Sequence, residues 1–221
     1  MYILFVNVKL LMFKDRNYAG IELAKKFLDN YSNPLVCAIP RGGVEIGFHI
    51  AQRFNCSLQI INSKKLGAPN NPELAIGAVS QNGIVWLDHD LIDSLNISKL
   101  YIENETKKQL FELSSRDDIY KKFNFNENIS NRDVIVVDDG IATGCTMKSS
   151  IFLLKKYNPN NIIIATPIIA YDTKIEFDKL VDDIISLDVS SNMSSIGSFY
   201  EDFSQVTHEN VIIMLEKSLK N

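Results

Sequence analysis

Apolar runs and polar breaks alternate along this chain with two periods, and their order predicts the architecture. Val134 to Val137 is aliphatic throughout with no polar alternation, the pattern of a strand covered on both faces in a parallel sheet. Similar short runs occur at Leu35 to Ile39, between Pro34 and Pro40, and at Ser57 to Ile61, Ile162 to Thr166 and Ile184 to Leu187. Between the runs the spacing becomes helical. Ile21, Leu23, Ala24, Phe27 and Leu28 follow a capping Asp15 or Asn17, and further helices are predicted at about Val44 to Phe54, Met147 to Tyr157 and Thr173 to Leu180. The alternation predicts an α/β fold: a doubly wound, mostly parallel central sheet with right-handed crossovers and ligands at the C-terminal edge of its strands.

Three stretches depart from that rhythm. Ala75 to Val79 and Ile84 to Leu87, joined around Asn82-Gly83, read as a hairpin and so as an antiparallel flap or edge. From Ile97 to about Phe123 the pattern is helical and highly charged, with Leu100, Leu110, Leu113 and Ile119 on its apolar side, which suits a covering or dimer helix. Beyond the last strand, Asp188 to Gly197 is rich in serine. Phe199, Tyr200, Asp202 and Phe203 then cluster ahead of a final helix from about Thr207 to Leu219. These aromatics either pin the last helix to the body or form a small hood whose rings stack on a flat base.

Composition narrows the class. A length of 221 residues suits one α/β domain with a sizeable core, and 46% hydrophobic with 23% charged residues is the balance of a globular protein rather than a disordered one. The net charge of -4 gives no general attraction to nucleic acid. Lysine pairs such as Lys25-Lys26 and Lys107-Lys108 have acids nearby and read as solvated helix faces. Cys37, Cys56 and Cys145 have no metal-ligand spacing and leave an odd thiol, as expected in a reducing cytoplasm. Met1 to Met12 is apolar but too short to span a bilayer, contains Asn7 and Lys9, and lacks a basic start and a cleavage site, so it is not read as a signal peptide.

The candidate chemistry lies where the strand Val134 to Val137 ends. Asp138 and Asp139 cannot both be buried unpaired there, so they must meet solvent, a cation or the hydroxyls of a ligand. Gly140, Ile141, Ala142, Thr143, Gly144, Cys145 and Thr146 then form a loop of mostly small residues at the start of a helix, a place where N–H groups bind anions. Acceptors for a sugar diol thus stand beside donors for a phosphate. The loop lacks the Gly-Lys-Ser/Thr ending of a Walker motif, and no Gly-x-Gly-x-x-Gly follows a predicted strand. Arg41, Gly42 and Gly43, between another strand and helix, form either a second anion site or only a tight turn. Lys64 and Lys65 follow the next strand and could be no more than its solvated end.

The segment Asp138-Asp139-Gly140-Ile141-Ala142-Thr143-Gly144-Cys145-Thr146 resembles the phosphoribosyl-pyrophosphate (PRPP) motif of type I phosphoribosyltransferases. The resemblance implies that Asp138 and Asp139 hold the ribose hydroxyls and that Ala142 to Thr146 wrap the 5-phosphate. It further implies that Pro40 to Gly43 form the pyrophosphate loop, with Arg41, Gly42 and Gly43 on the anion. Lys64 and Lys65 would precede a flexible loop and neutralise the departing pyrophosphate. Mg2+ is the implied cofactor, held mainly by substrate oxygens with Asp138 and Asp139 helping through water and no dedicated protein ligands. The implied partners are PRPP and a small nitrogenous acceptor, with Phe199, Tyr200 and Phe203 as candidate base contacts, in a homodimer without membrane or nucleic acid. Chains of this kind open at a Met-Phe-x-Asp-Arg pattern, here Met12 to Arg16, so a single domain over residues 12–221 is expected. Its core would run from about 12 to 187 and its hood from 188 to 221, with residues 1–11 as an extension.

One departure is informative. In the 6-oxopurine branch an aspartate precedes the Thr-Gly, and here that position is Ala142. Hypoxanthine and guanine are therefore not expected as good acceptors, and Asp202 is the carboxylate to examine as a substitute. Two rival readings share the motif: a PRPP- or nucleotide-sensing regulator with little catalysis, and a transferase whose acceptor is not a nucleobase.

Overall fold

The computed structural model describes residues 12–80, 83–124 and 128–219. The apolar segment at residues 1–11 and the turn residue Asn82 lie outside them. From the N-terminus the elements are α1 (Arg16–Ala24), β1 (Leu35–Ala38), α2 (Gly42–Phe54), β2 (Leu58–Ile60), β3 (Ser63–Ala68), β4 (Asn71–Ser80), β5 (Val85–Leu87), α3 (His89–Ser94), α4 (Lys99–Tyr120), β6 (Asp133–Val137), α5 (Cys145–Lys155), β7 (Asn161–Ala170), α6 (Tyr171–Phe177), β8 (Asp183–Ser190) and α7 (His208–Ser218). Short 3-10 turns sit at Lys121–Phe123 and Ile196–Phe199. No described helix is long and apolar enough to cross a membrane.

Five strands form a parallel sheet in the order β2-β1-β6-β7-β8. Side chains alternate between its faces, as the pleat requires. Val36 and Ala38 of β1, with Ile135 and Val137 of β6, enter a core shared with α1, α2 and α7. Leu35, Cys37, Val134 and Val136 enter the opposite core, shared with α5 and α6. Both faces are covered, which is why these runs show no polar positions. Each fully buried aliphatic side chain contributes about 1.5–3 kcal/mol. The start of β6 is fixed by a buried charge: Asp133 accepts from Ser32 N at 2.6 Å and from the Asn160 and Asn161 amides at 2.7 Å each.

The flap is larger than expected. Strands β3, β4 and β5 form an antiparallel sheet that, with α3 and α4, has its own apolar cluster around Leu66, Ile76, Val79, Ile92 and Leu113. Lys64 and Lys65, expected ahead of a flexible loop, instead lie on β3, and only a short turn separates β3 from β4. The flap is fastened to α5 by Trp86 stacked on Phe152, with ring centroids 3.7 Å apart, and by Ser63 Oγ 3.0 Å from Ser150 Oγ. Along α4 the expected apolar side needs one correction. Leu113 is buried but Leu100 is 67% exposed, because thirteen residues at about 100° each leave the two roughly 140° apart around the helix. In the N-terminal stretch α1 ends at Ala24 and Leu28 is likewise exposed.

Candidate functional site

The strand order creates the site. From β1 the chain turns through α2 to β2 on one side, whereas from β6 it turns through α5 to β7 on the other. The loops after β1 and β6 therefore diverge and leave a crevice at the sheet's C-terminal edge. A cleft of about 820 Å3 opens there. Arg41 and Gly42 line it from the first loop, Lys64 and Lys65 from β3, and Asp138, Asp139, Cys145 and Thr146 from the second loop. A smaller hollow of about 150 Å3, lined by residues from Gly140 to Met147, adjoins it through Asp138, Cys145 and Thr146. Gly43 is buried behind the first loop.

The two loops touch. An added Cβ on Gly42 would lie 1.9 Å from Asp139 Oδ2 and 2.9 Å from Arg16 Nε, so only glycine lets the first loop pass this close to the carboxylate. The Pro40–Arg41 peptide is cis. In the second loop, Ile141 is tied to β7 by backbone bonds with Ile168 and Ala170, and the Ala142 carbonyl accepts from Thr173 Oγ1 at 2.5 Å. Gly144 caps α5 at φ 69°, a left-handed conformation that favours glycine. Thr143 and Thr146 are exposed, and their hydroxyls make no hydrogen bond among the described residues. With the unpaired first N–H groups of α5, they form a cradle of donors.

Asp138 and Asp139 are not equivalent. Asp139 pairs with Arg16, whose Nε donates to Oδ2 at 2.7 Å. Asp138 accepts from the Asp139 backbone N–H at 2.9 Å. Crowding of its carboxyl by protein atoms, and then the neighbouring Asp139 charge, raise the Asp138 pKa well above the ordinary 3.8; the backbone bond and Arg16 only partly oppose this. The pair therefore presents one carboxylate engaged by a guanidinium and one carboxyl that resists ionisation. Lys64 is ion-paired with Glu112 of α4, and Lys65 Nζ lies 4.0 Å from Cys145 Sγ. The lysines thus join the flap to the wall of the cleft. Tyr101, Glu105 and Gln109, with Lys108, add the polar face of α4 to that wall.

Arg16 is the residue that local pattern reading missed. It is 7% exposed, donates through Nη1 to the Ser204 carbonyl at 2.8 Å and lies 3.8 Å from the centroid of the Phe203 ring. Its partner Asp139 is 123 residues away, so nothing in the local sequence announced the pair. The aromatic cluster also needs correction. Phe199 is buried in the core and so has no face for a base. Tyr200 is 5% exposed and donates its hydroxyl to the Asp139 carbonyl at 2.6 Å. Burial, then the Asp139 charge, push its pKa up. Only Phe203 keeps exposed ring surface, and Arg16 covers one side of it. Asp202 lies in a separate cavity with Asp15, Arg16 and Glu45, outside both the cleft and the hollow.

A doubly wound sheet with two glycine-containing loops at its switch point defines an α/β protein with its ligand crevice between strands β1 and β6. The chain belongs to the phosphoribosyl transferase domain family, whose model matches residues 14–204. It is 28% identical over 208 residues to a Mycobacterium tuberculosis protein known from two strains and named only provisionally as a phosphoribosyl transferase. That alignment takes in 94% of this chain but 47% of the relative, so the chain spans about half the length of the curated relatives it matches. Among solved structures, the protein TT1426 from Thermus thermophilus is 30% identical and superposes with a TM-score of 0.87 over 93% of this chain and 98% of that one.

Proposed function

We propose that this protein transfers ribose 5-phosphate from PRPP to a ring nitrogen of a small acceptor, releasing pyrophosphate. The observation that carries this reading is the convergence of the three sets of phosphate- and diol-binding groups on one cleft and the hollow that adjoins it: Arg41 and Gly42, Lys64 and Lys65, and Asp138 to Thr146. In this reading the 5-phosphate takes the donor cradle of Thr143 to Thr146 and the ribose hydroxyls meet Asp138 and Asp139. The pyrophosphate faces Arg41 and the β3 lysines. The reaction needs no nucleophilic side chain, since an oxocarbenium-like transition state is served by positioning and by neutralising the leaving group.

The described residues contain no group of three or more His, Cys, Asp or Glu side chains that could hold a metal ion. Asp139 already gives one oxygen to Arg16. Mg2+, which usually binds through substrate phosphates, one or two carboxylates and water, fits such a site with Asp138 and Asp139 as its nearby carboxylates. When bound it adds positive charge against the pyrophosphate. Ala142 supplies no acid beside the loop, and Asp202 lies in another cavity, which favours a 6-amino base or a pyrimidine over a 6-oxopurine. Pyrophosphate release from PRPP and Mg2+, measured against a panel of bases and amines, tests both parts. Turnover with at least one acceptor, and with hypoxanthine and guanine far slower than the best, is expected. No release with any acceptor would refute the transferase reading, and hypoxanthine or guanine at the best rate would refute the role given to Ala142.

A further inference from the structure

The scheme above leaves one wall of the cleft without a role, the face of α4. Tyr101, Glu105, Lys108, Gln109 and Glu112 all line the cleft, and at about 100° per residue they fall within roughly 100° of one another around the helix. They form one continuous polar stripe. The groups given to the phosphosugar, namely Arg41, the β3 lysines and the loop from Asp138 to Thr146, come from other elements. The cleft, at about 820 Å3, is near the upper end of small-molecule sites, so it has room for a second small molecule beside the phosphosugar. Phe199, Tyr200 and Phe203 do not compete for that molecule, since none of them lines the cleft.

The hydrogen bonds along the stripe all run in one sense. Gln109 Nε2 donates to Glu105 Oε1 at 2.8 Å. Only the amide nitrogen can donate to a carboxylate, so Gln109 Oε1 and the second oxygen of Glu105 are left as acceptors. Lys108 Nζ lies 3.7 Å from Glu105 Oε2, beyond hydrogen-bond reach, on a side chain that is 63% exposed. The Glu105 side chain is only 14% exposed, and a partly desolvated carboxylate with an unfilled oxygen calls for a donor. Tyr101 donates its hydroxyl to the Gly67 carbonyl at 2.9 Å, so the phenol oxygen has only acceptor capacity to spare. Desolvation, then the Glu105 charge, raise the Tyr101 pKa above its ordinary value, which keeps the phenol protonated and that bond in place. Glu112, the remaining carboxylate of the stripe, is paired with Lys64.

A wall of acceptors around a carboxylate repels phosphate oxygens and attracts N–H groups. We propose that α4 is the acceptor-reading wall of the cleft, and that Glu105 and Gln109 select a small acceptor carrying an amino group. Side chains four residues apart stand about one turn from each other on a helix. Their two free oxygens match the two hydrogens of one amino group. A ring bearing hydrogen at that position leaves both oxygens unpaired, and a ring bearing a carbonyl adds a third acceptor against them. The proposal rests on the transferase reading for the place of the phosphosugar, and it adds which element chooses the acceptor and by what chemistry.

The test uses nucleotides that differ only in the amino group, so that the shared phosphate and ribose anchor both alike. Adenosine 5′-monophosphate is compared with purine ribonucleoside 5′-monophosphate, and cytidine 5′-monophosphate with its analogue lacking the amino group, by calorimetric titration into wild type, Glu105→Met and Gln109→Met. Wild type is expected to favour the amino member of at least one pair by tenfold or more. Each variant should reduce that preference to about threefold or less while binding the amino-free member as wild type does, a split that general damage to the helix would not produce. No preference in wild type for either pair, no binding of any of the four nucleotides, or a preference undiminished in both variants would overturn the proposal. PRPP with Mg2+ is titrated alongside. PRPP affinity that falls in step in the variants would place the phosphosugar on α4 and overturn the proposal as well. Absence of PRPP binding to wild type would instead count against the transferase reading, while amino selectivity lost in the variants would still support the role of α4.

Discussion

Two regions meet at Asp139 and treat their polar groups in opposite ways. On one side, in the loop from Gly140 to Thr146, the hydroxyls of Thr143 and Thr146 are exposed and unpartnered among the described residues. On the other, where residues 13–16 lie along residues 199–204, polar groups are matched within the protein. Arg16 serves Asp139 and the Ser204 carbonyl, Tyr200 serves the Asp139 carbonyl, and Phe13 N donates to the Phe199 carbonyl at 2.7 Å. Free groups held in fixed positions make a binding surface, and satisfied groups make a scaffold. In the proposed function the loop binds and the clamp positions, with Asp139 as their joint.

The clamp is broken most severely by Arg16→Met. Removing the guanidinium leaves the Asp139 carboxylate, only 13% exposed, without its partner, at a cost of about 3 kcal/mol. For a chain of this size that is a fall in melting temperature of roughly 6–12 °C. Arg16→Lys keeps the charge without the fork and should fall between the two. Scanning calorimetry on the three proteins decides; equal melting temperatures would mean that the pair is not structural.

Asp138 belongs to the loop, and the comparison predicts the opposite sign for it. Its native pKa is raised, so folding takes up a proton between the ordinary value of 3.8 and that raised value. Its contribution to stability therefore falls as pH rises through this window. Asp138→Asn should melt higher than wild type at neutral pH, with the gap closing as the pH drops toward the ordinary carboxylate range. A gap that widens on acidification would contradict the direction of the shift. Smaller effects lie further out. Tyr200→Phe removes one buried hydrogen bond to the Asp139 carbonyl and should cost about 1 kcal/mol by chemical denaturation. Glu112→Gln releases Lys64 from a pair whose side chains are 30% and 42% exposed, and should change stability by less than about 1 kcal/mol. A larger loss would show that α4 is clamped to β3 mainly through that pair.

The same contrast explains what could be read from the chain. The parallel core was legible because Val134 to Val137 and its counterparts need both faces covered, a demand that lies within each run. The loop was legible because its small residues, glycines and paired acids stand next to one another. Arg16 was not, since its meaning depends on a partner brought near only by folding. Phe199 and Tyr200 looked like base contacts because an aromatic cluster has the same composition whether it stacks on a ligand or packs inside, and the backbone pairing of Phe13 with Tyr200 decides for packing. The polar wall that α4 gives to the cleft was hidden for a related reason: in an amphipathic helix the sequence marks the buried face, and both a solvated and a ligand-facing side read as charged.

The most direct test of the central claim, that PRPP is held over the acidic pair, is calorimetric titration of PRPP with Mg2+ into wild type and Asp138→Asn. The variant should be folded and more stable at neutral pH, so a loss of affinity cannot be put down to unfolding. PRPP should bind wild type saturably and the variant about tenfold more weakly or worse. Equal affinities for the two proteins would contradict the account.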